Sequence, residues 1–301
     1  MQTNISYIIK EEDDGKTVET IMRKKLGMSA GLLSYLKTNG KIFINGSVCR
    51  SIDLCSVGDI VAADVSENLK GIGEIAPLEY DIEILFEDDF VLVVNKPAKM
   101  ASHPCIGNYE NSLANAVVHH WEQKGEFHNY HIVNRLDKDT SGICVIAKNR
   151  YAHGILSQQI KNNEFKRSYT AIIHGVPSHN QGSVIAPIKR DTSSIIKHIV
   201  SQEGKFAKTN YRVIKTLSDK YCLVDISLET GRTHQIRVHF SHIGHPLLGD
   251  WLYGDGDNEK DIIKRHALHA GGVSFLHPAD RRPMIFETEL PEDMGKLYKN
   301  L

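Results

Sequence analysis

Apolar and polar positions follow two different periods along the first 67 residues. Apolar side chains recur every three or four positions over residues 17–28, which predicts a helix. A second helical stripe follows Ser29, a residue type that caps helices well, and ends at an Asn-Gly pair. Short apolar runs at 41–44 and 60–61 predict strands, and Asn45-Gly46 is a strong hairpin signal. The pattern indicates a self-contained unit of two helices and a small sheet.

The rest of the chain has the pattern of a linker followed by a larger domain. Residues 68–79 hold two glycines and no clear period, which is typical of a linker. We expect a polar, mobile loop at 188–204. Apolar runs and amphipathic stretches predict strands near 82–86, 90–94, 143–147, 166–174, 205–215 and 221–228, and helices near 112–121, 149–165 and 235–243.

These elements divide the chain into a first domain at 1–67, a linker at 68–79 and a second domain at 80–301. We predict an α+β second domain, built on a mixed, mostly antiparallel sheet with the active cleft across its middle. About six to eight of its strands are visible in the pattern. The small first domain is expected to be loosely tethered.

Composition and charge exclude several classes of protein. Apolar residues make up 41% of the chain and charged ones 24%, and the net charge of −1 leaves nucleic-acid binding to local patches. No apolar run approaches the roughly 20 residues of a membrane span, and the N-terminus lacks the pattern of a signal peptide. The five cysteines include no Cys-x-x-Cys pair, and the sixteen histidines include no His-Glu-x-x-His. We therefore expect a cytoplasmic protein without a metal site.

The most informative stretch is Asn134 to Gly142, which is followed at once by the apolar run at 143–147. Its Asp-Lys-Asp-Thr-Ser-Gly segment predicts a turn, because Asp, Thr and Ser side chains form hydrogen bonds to their own backbone and glycine accepts positive φ. Arg135 and Asp137 should therefore lie on a loop fixed to a buried strand, where working residues are common. On chemistry alone, an ordinary charged surface turn with an incidental Arg–Asp pair is the favoured explanation, because charged turns are common.

The exact residue order of this segment favours a functional role over an ordinary turn. Arg-Leu-Asp-Lys-Asp-Thr-Ser-Gly closely resembles the catalytic motif of the RluA/RluD-type RNA pseudouridine synthases. Further matches stand in the family's order: the segment 88–98, Lys-x-x-Tyr-x-Ala at 166–171, the segment 229–239, Gly-Asp-Trp-Leu-Tyr-Gly at 249–254 and Leu-His-Ala at 268–270. Together they cover residues 82–290. Asn134 stands where the family usually has His, and Lys99 where Gly is common. We therefore expect an active site with altered properties rather than an inactive one.

The resemblance implies isomerisation of uridine to pseudouridine in RNA, a reaction that needs no cofactor. It assigns Asp137 as the catalytic carboxylate and Arg237 as its partner, since a guanidinium favours the ionised form of a carboxylate and orients it. Tyr169 would stack on the uracil and help remove its C5 proton. The nucleotide must leave the base stack, and Arg135, beside Asn134, would occupy the space left behind.

The first domain is similar to the S4-like RNA-binding domain over roughly residues 14–67. Such a domain would hold RNA phosphates with cations, although a solvated lysine is the common state of that residue on a helix. The expected RNA-binding residues are Arg23, Lys24, Lys25, Lys37 and Lys41, together with Arg232 and His234 of the second domain. We expect large-subunit ribosomal RNA as the first partner and transfer RNA as the second, bound by a monomer.

Two other functions fit parts of the sequence. A ribosome-assembly factor could keep the fold and bind RNA without chemistry, although it would have no need of Asp137. A glycoside hydrolase would need a second positioned acid, and Asp139 is the only carboxylate close in sequence.

Overall fold

The structure, a computed structural model, describes residues 3–67, 75–105 and 109–300. Residues 68–74 of the predicted linker therefore lie outside the described residues. The described strands form a four-stranded sheet, a ten-stranded sheet and a separate two-stranded hairpin. The small sheet uses residues between 4 and 64, and the large sheet uses residues between 83 and 287.

Capping residues begin both helices of the N-terminal part. The hydroxyl oxygens of Thr17 and Ser29 accept hydrogen bonds from the amides three positions later, which closes the first turn of each helix. Asn45 and Gly46 have φ values of 49° and 80° and form the predicted hairpin turn. The elements are β1 (Asn4–Ile8), α1 (Val18–Lys24), α2 (Ala30–Thr38), β2 (Ile42–Ile44), β3 (Ser47–Val48) and β4 (Ile60–Asp64). The strands pair antiparallel in the order β1-β4-β2-β3.

The second part forms the predicted mixed, mostly antiparallel sheet. Its first half contains β5 (Glu83–Glu87), β6 (Val91–Lys96), α3 (Leu113–Gln123), β7 (His131–Ile132), β8 (Ser141–Ala147), α4 (Arg150–Lys161) and β9 (Lys166–His174). Its second half contains β10 (Gln181–Ile185), β11 (Ile188–Arg190), β12 (His198–Val200), β13 (Lys208–Ser218), β14 (Tyr221–Leu228), α5 (Gln235–His242), β15 (Leu268–Leu276), β16 (Pro283–Glu287) and α6 (Glu292–Asn300). The order is β10-β13-β14-β9-β15-β8-β6-β5, with β16 on β15 and β7 on β8. The pair β8–β15 is parallel, and the α+β prediction is confirmed.

The sheet is buried on both faces at its centre. Every residue of β8 is buried, which agrees with its uncharged, β-branched sequence. Trp121 of α3 and Phe240 of α5 pack on one face. Leu156 of α4 and Phe165 pack on the other. The loops at the end of β8 therefore project from a rigid base.

Three expectations about elements were wrong. Residues 188–204 were expected to be a mobile loop, but β11 and β12 pair there as an antiparallel hairpin. The helix predicted over 149–165 ends at Lys161, because Asn163 takes a left-handed φ of 58°. The first domain is not loosely tethered, since Tyr151 and Ile155 of α4 are buried in its apolar core.

Candidate active site

The position of Gly142 near the start of β8 explains why a glycine follows the charged turn. Its φ is +117°, and a Cβ atom built there would lie 2.3 Å from the carbonyl oxygen of Ala270. Only glycine fits so close to another backbone. The residue lets β8 lie parallel to β15, with Gly142 opposite Ala270. The loop before it, which carries Asp137, is thereby fixed to the middle of the sheet.

Two buried cations hold the backbone of this loop. Lys96 at the end of β6 is fully buried, and its ammonium donates to the carbonyl of Lys138 at 3.2 Å and to two carbonyls of its own turn. Burial lowers the pKa of Lys96 to about 8. Arg265, also buried, donates from Nη1 to the carbonyl of Asp139 at 3.0 Å. The loop is thus fixed by charged groups that water does not reach.

Asn134 and Ser102 fix the two sides of the same loop. The Asn134 side chain is buried; its Nδ2 donates to the carbonyl of Ile143 at 2.9 Å, and its Oδ1 accepts from the amide of Val145 at 2.8 Å. The Ser102 hydroxyl donates to the carbonyl of Leu136 at 2.7 Å and accepts from its amide at 3.0 Å. Asn134 was expected beside the flipped nucleotide, but the structure instead uses its amide to join the loop to β8.

Arg135 and Asp137 face outwards on either side of the buried Leu136. Arg135 is exposed, and within residues 3–67, 75–105 and 109–300 its guanidinium has no hydrogen-bond or ion-pair partner. The Asp137 side chain is 26% exposed. The loop therefore presents one cation and one carboxylate to an incoming ligand.

Arg237 joins Asp137 to a second carboxylate. From α5, its Nη1 donates to Asp137 Oδ2 at 3.2 Å, while its Nε and Nη2 donate to the two oxygens of Asp250 at 2.7 and 2.8 Å. Arg237 and Asp250 are buried. Burial opposes the charge of Arg237, but the two carboxylates outweigh it and raise the pKa of the guanidinium. The bidentate pair fixes the direction from which the guanidinium meets Asp137.

Tyr169, in β9, is buried in the apolar cluster that also contains Leu136 and Ile226. Burial raises the pKa of Tyr169, and the charge of Asp137 raises it further. The phenol is therefore protonated at neutral pH. The structure thus brings Asp137, Tyr169 and Arg237 into one region from three segments far apart in sequence.

His234, Tyr253 and His198 form a hydrogen-bonded group on the other side of Asp137. His234 Nδ1 lies 2.9 Å from the Tyr253 hydroxyl, and His234 Nε2 lies 3.9 Å from Asp137 Oδ2. The Tyr253 hydroxyl also accepts from the amide of His198 in β12, at 2.9 Å. The Tyr253 ring lies under Arg237, with 5.1 Å between the guanidinium carbon and the ring centre. The hairpin β11–β12 therefore reaches the site.

Comparison with known proteins identifies this arrangement. A family model described as RNA pseudouridylate synthase matches residues 90–242, which include Asp137, Tyr169 and Arg237. The chain belongs to this family. It is accordingly an RNA pseudouridine synthase, an isomerase, and the RluA/RluD-type resemblance is confirmed.

Several relatives of the synthase extend over most of its length. A Bacillus subtilis (strain 168) protein named uncharacterized RNA pseudouridine synthase YjbO is 42% identical over 281 residues, which are 91% of this chain and 96% of that protein. Ribosomal large subunit pseudouridine synthase D of Zymomonas mobilis is 43% identical over 237 residues, 75% of this chain and 74% of its own. The solved structure of human RNA pseudouridylate synthase domain containing 1 is 25% identical with a TM-score of 0.57, over 69% of this chain and 83% of that one.

The expected RNA-binding cations are in two different states. Lys25 pairs with Glu12 and Asp13 at 2.8 and 3.1 Å, and Lys41 with Asp64 at 3.3 Å. Three of the remaining ones are exposed: Lys37 lies 3.4 Å from Glu19, and Arg23 and Lys24 have no ion-pair partner in the described part of the chain. Arg232 is exposed and donates to the Phe206 carbonyl, while His234 lies in the active site.

Sequence reasoning gave no role to four residues that shape the site: Lys96, Ser102, Asp250 and Tyr253. The last two belong to Gly-Asp-Trp-Leu-Tyr-Gly at 249–254, a segment recognised as part of the family pattern. The sequence signal that could have pointed to Asp250 is the Gly-Asp pair at 249–250. In the structure Gly249 takes a left-handed φ of +75°, and the Asp250 side chain that follows it is buried. Within the described ranges no group of three or more His, Cys, Asp or Glu side chains could hold a metal ion. No described helix is long and apolar enough to span a membrane.

Proposed function

We propose that this synthase isomerises specific uridines in structured RNA, with large-subunit ribosomal RNA as its first substrate and transfer RNA as the second candidate. The observation that carries this proposal is the arrangement Asp250–Arg237–Asp137, in which a buried, doubly paired guanidinium holds one oxygen of a partly exposed carboxylate. Such a carboxylate is oriented and accessible, as a covalent or proton-transfer catalyst must be.

The two oxygens of Asp137 are not equivalent. Oδ2 accepts from Arg237, whereas Oδ1 has no hydrogen-bond partner in the parts of the chain that the structure describes. Oδ1 is therefore the oxygen available to the flipped nucleotide. The reaction breaks the glycosidic C–N bond and forms a C–C bond to the same base, so no redox partner or cofactor is required.

Arg135 is the base-flipping residue of this proposal. It is exposed, unpaired among the described residues and two positions from Asp137, so its planar group can fill the space that the uridine leaves in the stack. Tyr169 would lie against the uracil and assist removal of the C5 proton. Asn134 acts indirectly, by tying the loop to β8.

The ribosomal substrate is supported by the relatives and by the small domain. Several relatives that are 33% to 43% identical to this chain carry the name ribosomal large subunit pseudouridine synthase D. The N-terminal part leaves Arg23 and Lys24 exposed and available for phosphates, which would give salt-dependent, sequence-independent affinity. We infer that the first 67 residues act as an S4-like RNA-binding domain, and that the synthase works as a cytoplasmic monomer.

Carbodiimide-based mapping of pseudouridine tests the proposal. Ribosomal and transfer RNA would be mapped in cells that lack the gene and in the same cells rescued with wild type or Asp137→Ala. A ribosomal site that disappears in the deletion and returns only with wild type supports reaction, residue and substrate together. Identical maps in all strains, with purified protein inactive on naked transcripts but still binding them, would instead favour a non-catalytic assembly factor.

Arg135→Lys tests the flipping role separately. Lysine keeps the charge but loses the planar group, so we expect the single-turnover rate to fall by a factor of about 10 to 100 while RNA affinity changes little. Arg281→Lys, an exposed arginine at the turn before β16, is the matched control. Equal losses of rate and affinity in Arg135→Lys would contradict the role.

A further inference from the structure

The Tyr253 hydroxyl has one hydrogen to donate, and only one of its two hydrogen-bonding neighbours can accept it. Its hydroxyl oxygen accepts the backbone N–H of His198 at 2.9 Å, and it lies 2.9 Å from His234 Nδ1. Burial raises the pKa of Tyr253 to about 12, so the phenol keeps its hydrogen. Among the described residues the hydroxyl has no other acceptor than His234 Nδ1. The arrangement that satisfies every group therefore has Tyr253 donating to Nδ1.

This bond fixes where His234 carries its own hydrogen. If Nδ1 accepts, the neutral ring must be protonated at Nε2. Nε2 faces Asp137 Oδ2 at 3.9 Å, the same oxygen that Arg237 holds at 3.2 Å. That distance is longer than a hydrogen bond, as is common before substrate closes a site.

The backbone of His234 supports a positioned side chain. The residue precedes α5 with φ +57° and ψ 18°, an uncommon left-handed conformation for a residue with a side chain. Its ring is enclosed by Tyr253 and by His198 of β12, with ring centres 5.6 and 5.5 Å away. Outliers of this kind concentrate where geometry matters for function.

We propose that Tyr253 locks His234 in its Nε2–H form, and that His234 then acts as a positioning residue that donates to Asp137 Oδ2. This inference rests on the proposed function. With Arg237 and His234 both directed at Oδ2, the carboxylate cannot rotate, and Oδ1 stays directed at the nucleotide. The hairpin β11–β12 contributes through the His198 amide, which occupies the Tyr253 oxygen.

The charge of His234 matters because several charged groups surround it. Burial lowers the pKa of His234, so the ring is neutral at neutral pH. An imidazolium would place a full charge against Asp137 and hold it more tightly, which lowers its reactivity. The groups that act on the ring come from every neighbouring element: Asp137 before β8, Arg237 in α5, His198 in β12, and Asp250 and His266 in the segments after α5.

Tyr253→Phe is the test of the lock. Phenylalanine keeps the ring under Arg237 but removes the donor, so His234 can protonate at Nδ1 more easily. We expect the acidic limb of the single-turnover pH–rate profile to move up by about one pH unit, and the shift to vanish when His234→Gln is added. His234→Leu should lower kcat by a factor of about 10 to 100 with KM little changed, and His234→Gln, which keeps an N–H donor, should recover part of that loss.

Nitrogen-15 NMR of the histidine side chains provides a readout that does not depend on activity or on the RNA. The His234 signals, assigned by their loss in His234→Gln, should show the hydrogen on Nε2 in wild type and a mixture of forms in Tyr253→Phe. His179→Gln and Tyr298→Phe, at exposed positions outside the site, are the matched controls.

Either of two results would overturn the inference: wild-type His234 protonated at Nδ1, or a pH profile of Tyr253→Phe that superimposes on that of wild type. An inactive wild type with the Nε2–H form intact would count against the proposed function alone.

Discussion

At the scale of single residues, the site depends on Arg237 being paired on two sides. Asp250 is fully buried and binds the guanidinium through both oxygens, and its Oδ1 also accepts from the amides of Leu252 and Tyr253. Removing one partner of a buried pair leaves an uncompensated charge, which is far more costly than breaking an exposed pair.

Asp250→Asn is therefore expected to lower the free energy of unfolding by about 3 kcal/mol and to lower kcat as well, because Arg237 loses its direction toward Asp137. Asp225→Asn is the control, since that carboxylate forms an exposed pair with Arg212 at 3.0 Å and should change stability by less than about 1 kcal/mol. Denaturant unfolding and single-turnover rates measure both effects. Similar losses for the two variants would show that the Arg237–Asp250 pair has no special weight.

Lys96 provides a prediction about pH. Its pKa is lowered by burial from 10.5 to about 8, so between these values the unfolded chain binds more protons than the folded one. Stability from this group should therefore rise with pH across that window, by up to about 1.4 kcal/mol per pH unit. Subtracting the unfolding free energy of Lys96→Met from that of wild type at each pH isolates the contribution of Lys96. A difference that is flat from pH 8 to 10 would contradict the buried, weakly basic state.

At the scale of elements, the parallel contact between β8 and β15 depends on Gly142. A methyl group there would meet the Ala270 carbonyl at 2.3 Å, and the φ of +117° is unfavourable for any L side chain. Gly142→Ala should cost at least about 3 kcal/mol of stability. Gly154→Ala, on the exposed face of α4 with open space around it, should instead stabilise by about 1 kcal/mol. Thermal unfolding distinguishes the two, and a tolerated Gly142→Ala would show that the sheet can shift.

How far the elements could be predicted depends on where their signal lies. Local signals sufficed for α2, capped by Ser29, for the turn at Asn45-Gly46 and for β14, whose bounds agree with the prediction. The hairpin β11–β12 gave no such signal, because its strands are only three residues long and lie outside the large sheet, and the amide of His198 in β12 is held by the Tyr253 hydroxyl, which is distant in sequence. Its order is a tertiary effect that local periodicity does not report.

The site shows the same division. The resemblance to family motifs predicted Asp137, Tyr169 and Arg237 as site residues, and the structure places them in one region. The roles of Asn134 and Lys96 could not be inferred, since an Asn beside a charged turn and a Lys at a strand end are ordinarily exposed, whereas here both are buried and bonded to backbone. Their partners, in β8 and in the loop of Asp137, become neighbours only after the sheet forms.

At the scale of the whole molecule, the two sheets are joined by α4. Tyr151 and Ile155 lie in the core of the N-terminal part, and Glu67, just after β4, accepts from the amide of Arg150 at 2.8 Å and lies 3.2 Å from His131 Nε2. Burial would raise the pKa of Glu67, but the bonds from His131 and Asn129 outweigh it and lower it. Arg23 and Lys24, the proposed RNA-binding cations, are thereby on a part of the protein that is packed against the second domain.

This connection predicts coupled unfolding. Ile155→Asp places an unpaired carboxylate in the shared core, at a cost of several kcal/mol, so the N-terminal part should detach and melt separately, at a lower temperature, in scanning calorimetry. Gln158→Asp adds the same charge to an exposed position of α4 and should leave the wild-type profile unchanged. Detachment should also weaken RNA binding while the rate on saturating RNA stays close to that of wild type. An Ile155→Asp protein that melts in the same single transition as wild type would show that α4 does not hold the two parts together.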